Sequence, residues 1–272
     1  MGAVGFEVGA DGAARLGEAA CSARARGRAG EVFAAAAAEL KKRGAEFVQA
    51  PAERGGAREA RLRAAGFGRG PELLEMEREI PVPSSARGRG SVAVLPRGAG
   101  EGASSSGGAS GQGERRPSGA GGALAEGYAW TPFSPERRGE FAEVFYRTLE
   151  GSLDAPELPV CPDAERLMLS FEERGGFEPE DFALLEGPGG PEGLLLAAAV
   201  SGRFEILYMG LVPEARGRGL GRALVGRAIE RAAARGAGRV GVFVDRRNGP
   251  AVNIYTAAGF SEKCAVIVYL AP

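Results

Sequence analysis

Apolar positions along the chain change period from helical to strand-like and back. Within residues 135–151 (PERRGEFAEVFYRTLEG), Phe141, Val144, Phe145 and Leu149 fall at helical spacing on one face. A second helix is predicted over 164–173. Short apolar runs at 182–186, 194–200, 204–212, 240–245 and 265–270 read as strands. Residues 219–235 form an amphipathic helix with Leu220, Leu224, Ala228 and Ile229 on one face, ended by Gly236 as a left-handed cap. A shorter helix is predicted over 250–258, opened by Asn248 as N-cap with Pro250 in its first turn. Upstream, the pattern gives a helix at 31–42, a strand at 45–50, a helix at 57–65 and a strand at 73–79. Strands and helices in this order predict an α/β (α+β) fold, a mixed sheet flanked by helices.

Between 81 and 127 the periodicity stops and Gly, Ser, Arg and Pro take over. Glycine (45) and proline (17) make up about a quarter of the 272 residues, roughly twice the usual share, and much of the excess sits here. Such a segment buries too little apolar surface to offset the entropy of ordering it. It reads as a flexible linker, with an arginine-bearing RNA arm as the other reading and SVAVL at 91–95 as a candidate edge strand. The expected organisation is therefore a partial domain at 1–80, a linker at 81–127 and a full domain at 128–272. A faint repeat connects the two ends. Arg24-x-x-Gly27-x-Ala29 echoes Arg216-x-x-Gly219-x-Gly221, and Gly66-Phe67 echoes Gly259-Phe260. The N-terminal piece thus reads as the back half of the C-terminal domain, its front strands missing.

Charge is balanced at 34 basic and 35 acidic residues, so no basic footprint for nucleic acid is expected. The longest apolar run, 194–200, is far short of the roughly 20 residues of a membrane span, and no membrane association is expected. The chain has no histidine. Serine–histidine and cysteine–histidine catalysis are thereby excluded, as are zinc sites that need histidine, and no metal is expected. Any base working near neutral pH has to be a carboxylate, Tyr, Lys, Cys or water. Cys21, Cys161 and Cys264 are widely spaced and odd in number, which argues against a disulfide framework. With no signal peptide recognisable at the N-terminus, a cytoplasmic location is expected.

The chemical signal is VPEARGRGLGRAL at 212–224, a strand end, a Gly-rich turn and a helix start. Unused amides converge there, and the helix dipole adds about half a positive charge, so an anionic phosphate fits. Glycines 217, 219 and 221 allow close backbone approach. The P-loop string is absent, and the dinucleotide pattern fails because Arg222 stands where its third glycine belongs.

This loop resembles the acetyl-CoA motif [QR]-x-x-G-x-[GA] of the GNAT superfamily of N-acetyltransferases. A second block, VDRRNGPAVNIYTAAGF at 244–260, resembles that family's N-x-x-A-x-x-[LI]-Y-x-x-x-G-F segment through Asn248, Ala251, Ile254, Tyr255, Gly259 and Phe260. A third, FEILYMGLVP at 204–213, resembles the strand before the loop. The likeness spans 128–272, and the N-terminal piece resembles a truncated, degenerate copy, as in tandem GNAT proteins. It implies the GNAT fold, acetyl-CoA as cosubstrate and direct acetyl transfer to a primary amine.

On that resemblance, the pyrophosphate rests on the amides of Arg216, Gly217, Arg218, Gly219, Leu220, Gly221 and Arg222, with Asn248 in the second block. The pantetheine arm pairs with free backbone at Met209, Leu211 and Val212. Tyr255 is the candidate acid for the departing thiolate, with a packing role as its other reading. Glu205 is the candidate base, or a solvent-exposed strand carboxylate. Strand alternation puts Glu205, Leu207, Met209 and Leu211 on one face and Tyr208 on the other. Asp154, Glu157, Asp163, Glu165, Glu172 and Glu173 form either an acidic rim for a cationic acceptor or a set of helix caps and solvated faces. The acceptor (small molecule or protein amine) and the oligomeric state stay open. Two other functions stay open as well, an acyl-CoA sensor without catalysis and an interaction protein.

Overall fold

The computed structural model describes residues 2–8, 13–21, 29–42, 44–81, 124, 126–174, 176–200 and 202–271. In chain order the elements are β1 (Gly2–Val8), β2 (Ala13–Cys21), α1 (Ala29–Lys42), β3 (Phe47–Glu53), α2 (Ala57–Ala64), β4 (Gly68–Glu79), β5 (Ala129–Pro132), α3 (Arg138–Leu149), α4 (Ala164–Glu172), β6 (Phe182–Gly187), β7 (Gly190–Val200), β8 (Arg203–Leu211), α5 (Leu220–Ala234), β9 (Arg239–Asp245), α6 (Gly249–Ala257) and β10 (Ser261–Leu270). The expected linker at 81–127, with 91–95, lies almost wholly outside the described residues, as do residues 22–28, which hold most of the N-terminal echo of the Gly-rich segment.

Ten strands form one mixed sheet in the order β1-β2-β3-β10-β4-β9-β8-β7-β6-β5. Strands β5 to β8 pair antiparallel in order, β5 reaching β6 through α3 and α4 and β6 to β8 forming a meander. Its turns use glycine where the backbone goes left-handed, at Gly190 (φ 108°) and Gly202 (φ 82°). The crossover through α5 then brings β9 alongside β8 in parallel. Helix α5 packs on β7, β8 and β9, and α3 packs on β7 and β8. The larger core joins both layers, with Phe141, Val144 and Phe145 from α3, Leu224, Val225 and Ala228 from α5, and Leu184, Leu194, Leu196, Phe204 and Ile206 from the strands.

The last strand does not lie beside β9. Strand β4 does, in an antiparallel ladder from Leu73↔Asp245 to Glu79↔Arg239. Strand β10 instead fills the gap between β4 and β3. Its Ile267 and Tyr269 sit in a second core with Phe33, Leu40, Val48 and Leu62. In exchange, Leu74 and Met76 of β4 join Val242 and Val244 in the larger core. The expectation that 265–270 closes the sheet of its own half is corrected: each half completes the other's sheet. A strand's own sequence specifies which face is apolar, not which neighbour it meets.

The N-terminal piece is also less reduced than its sequence suggests. Strands β1 and β2 pair antiparallel, and β2 pairs parallel with β3 as β8 does with β9. The run β1-β2-α1-β3-α2-β4 therefore repeats β7-β8-α5-β9-α6-β10. These front strands escape sequence reading because they are rich in Gly and Ala and lack alternating branched residues.

Candidate functional site

Strands β8 and β9 pair at Phe204↔Val240, Glu205↔Gly241 and Ile206↔Val242, then part. Beyond Ile206, β8 stays paired with β7 as far as Gly193↔Leu211. Its other edge, where Met209 and Leu211 lie, has no partner strand among the described residues. The register slips at one point, from Ala197↔Ile206 to Leu196↔Tyr208, so Leu207 is the extra residue of a β-bulge. The bulge resets the faces. Glu205 shares a face with Tyr208 and Gly210, and Met209 joins the face of Phe204 and Ile206. The expected common face of Glu205, Leu207, Met209 and Leu211 is thereby corrected.

The loop after β8 begins with a tight turn. Val212 is buried, its amide donates to the Glu192 carbonyl (3.0 Å), and its carbonyl accepts from Ala215 (3.0 Å). The Val212 amide is therefore not open to a ligand, contrary to expectation. The Arg216 amide donates to Pro213 (3.2 Å) and the Arg222 amide to Gly219 (3.1 Å). Among the described residues, the amides of Gly217, Arg218, Gly219, Leu220 and Gly221 have no acceptor. Gly217 (φ 74°) and Gly219 (φ 81°) are left-handed, and the five amides lie at the N-terminus of α5. Gly221 has a different role, because a Cβ there would lie 2.8 Å from Ile254 of α6. The side chains of Arg216 and Arg218 have partners within the protein. Arg216 donates to the carbonyls of Leu211 (3.2 Å) and Thr148 (3.0 Å), and Arg218 pairs with Glu192 (3.0 Å) beside Tyr128.

Tyr255 lies on the buried face of α6, its ring 5.4 Å from that of Phe260. Burial pushes its phenol far above the ordinary range, and the charge of Asp154 adds to this, followed by that of Tyr208. Tyr208 is pushed up to about 12, chiefly by burial. Its hydroxyl lies 2.6 Å from Thr148 Oγ1. The Thr148 hydroxyl donates to the Phe145 carbonyl (2.6 Å), so Tyr208 donates to Thr148. Gly210 allows this approach, since a Cβ there would lie 2.7 Å from Thr148. A glycine inside a strand is the sequence signal for such a contact, and it passed unread.

Glu205 is committed elsewhere. Its Oε2 accepts from Arg203 Nη2 (3.1 Å) and Nε (3.3 Å), and Arg203 also pairs with Glu75 and Glu77 of β4. Asn248 caps α6 through Ala251 (3.3 Å) and also donates to Asp154. Most of the acidic rim is internal pairing. Asp163 caps α4, Glu165 and Glu172 bind Arg138, and Glu157 binds Arg247. Asp154 is the exception, a half-buried carboxylate at the parted end of β9 that sequence reading did not separate from its neighbours.

Residues 175–260, which hold the bulged strand, the amide loop and Tyr255, match the Acetyltransferase (GNAT) family. The chain carries a GNAT acetyltransferase domain. It is 33% identical over 164 residues to a mycothiol acetyltransferase of Beutenbergia cavernae, covering 53% of this chain and 52% of that protein. A mycothiol acetyltransferase of an Arthrobacter species is 31% identical over 118 residues, 36% of each chain. The chain thus matches about half, or less, of the length of these relatives. Two solved structures share the GNAT fold across 99% of this chain. One is a GCN5-related N-acetyltransferase from Sphaerobacter thermophilus (17% identity, TM-score 0.60, 76% of that chain), the other a tandem GNAT protein from the clavulanic acid biosynthesis pathway (14%, 0.58, 78%).

Proposed function

We infer that the protein is an N-acetyltransferase that moves an acetyl group from acetyl-CoA to a primary amine by direct attack. One observation carries this reading: β8 and β9 part immediately beside five unpaired amides at a helix start. A pantetheine chain fits the open edge at Met209 and Leu211, and a diphosphate fits the amides of 217–221. Tyr255 then supplies the proton to the departing sulfur, and holding amine and thioester together provides much of the rate. The relatives' name puts a mycothiol-type acceptor first in the panel to be tried. A degenerate partial GNAT-like domain at 1–80, a flexible linker at 81–127, a GNAT N-acetyltransferase domain at 128–272 and a cytoplasmic location belong to the same reading. For the location, Cys161 and Cys264 are free and no described helix is long and apolar enough to cross a membrane.

The test is coenzyme A release over an amine panel, with calorimetric titration of acetyl-CoA. Binding together with amine-dependent release supports transfer, binding without release supports the sensor reading, and no binding refutes both. Gly219→Glu is expected to abolish binding, because a left-handed position gains a side chain and the phosphate site gains a negative charge.

A further inference from the structure

We propose that Asp154, rather than Glu205, accepts the proton of the incoming ammonium; the proposal rests on the amine-acetylation reading above. The loop between α3 and α4 is built to deliver this carboxylate. Asp154 Oδ1 accepts from the Asp245 amide (2.9 Å) at the last residue of β9, and the Asn248 side chain donates to it at the start of α6. The next residue ties down the loop, with the Ala155 amide donating to Asp245 Oδ2 (3.1 Å). Ala155 is left-handed (φ 45°), the one non-glycine with positive φ among the described residues. An alanine there costs about 1–2 kcal/mol, and the anchored loop holds it.

The surroundings separate Asp154 from Glu205. Among the described residues Asp154 forms no ion pair, whereas Glu205 shares Arg203 with two other carboxylates. The Glu205 carboxylate is thus occupied by a guanidinium that bridges it to β4. The groups facing Asp154 are Tyr208 from β8, Tyr255 from α6, Asp245 from β9 with its partner Arg247, and Arg216 beyond Tyr208. Burial raises the Asp154 carboxyl above the usual carboxylate range, and the Asp245 charge adds to this against the two donated hydrogen bonds.

Protons balance as follows. The ammonium loses two as the C–N bond forms and the C–S bond breaks. One passes to solvent through Asp154, and one replaces the proton that Tyr255 gives to the coenzyme A sulfur.

The experiment compares wild type, Asp154→Asn and Asp154→Glu in the full chain with two acceptors. One is an aliphatic amine, protonated at neutral pH; the other is an aromatic amine, unprotonated there. Asp154→Asn can still accept from the Asp245 amide, and its acetyl-CoA affinity is expected to stay within a few-fold of wild type. On the aliphatic amine it is expected to lose about 10²-fold in kcat/KM and the acid limb of the pH profile. On the aromatic amine the loss is expected to be only a few-fold. Asp154→Glu retains an acid limb at reduced rate. Equal losses on both amines, no loss on either, or matching pH profiles for Asp154→Glu and Asp154→Asn overturn the proposal. Wild type that acetylates neither amine overturns the underlying reading, and is recognised before any variant is compared.

Discussion

A phenol as deeply buried as Tyr255 keeps its proton throughout the working pH range. It can therefore donate to a thiolate at any such pH, and its own ionisation leaves no mark on the pH profile. Tyr255→Phe is expected to lower kcat by about 10²-fold, within the usual range for a lost general acid, with acetyl-CoA affinity unchanged by calorimetry. A rate equal to wild type would reassign Tyr255 to packing against Phe260. Asp245 is the opposite kind of buried acid. Burial works against its charge, but hydrogen bonds from Arg247 and from the Arg247 and Ala155 amides outweigh it and hold the carboxyl below its ordinary value. A depressed carboxyl contributes stability above its unfolded pKa and loses it as pH falls through the folded value. Arg247→Ala is thus expected to lower the melting temperature at neutral pH, and the gap from wild type should close as the scans move to acid pH. A gap that stays constant would assign the effect of Arg247 to packing. The left-handed turn at Gly219 and the place of Tyr255 on α6 were legible because residue type and local spacing fix them. Asp154 was not, because nothing in TLEGSLDAPELP tells which acid reaches β9.

At the scale of elements, most helices and strands follow from local periodicity to within a few residues. Helix α5 begins after Gly219 and stops before Gly236, as its apolar stripe and its glycines require. The bulge at Leu207 was not legible, since it depends on how Gly193 to Val200 of β7 register against β8. That single extra residue moved Glu205 to the other face. The exchange of β4 and β10 was equally hidden, and it has a direct consequence. Cutting the chain at a protease site engineered between 82 and 123 severs the connection but leaves β4 between β9 and β10. The two fragments are expected to co-elute under native conditions and to separate in denaturant. Free elution of a 128–272 fragment that still melts cooperatively would contradict the exchange.

For the whole molecule, a sheet shared by both halves makes them one folding unit. Calorimetry of the full chain is expected to show a single transition, because neither core is complete without a strand from the other half; two separated transitions would show independent domains. Three things were determined by the sequence alone: the kind and order of most elements, the glycine-rich strand-to-helix turn at 212–222, and the exclusion of histidine chemistry. Each depends on residues within a few positions of one another or on residue type itself. Tertiary structure decided which strand lies beside β9, which face Glu205 occupies and which acid reaches the parted strands. The first and last of these are set by packing between segments 90 to 170 residues apart, as in Leu74 with Val244 and Asp154 with Asp245, and the face of Glu205 by the register of β8 against β7; the local pattern of one segment holds no record of its partners.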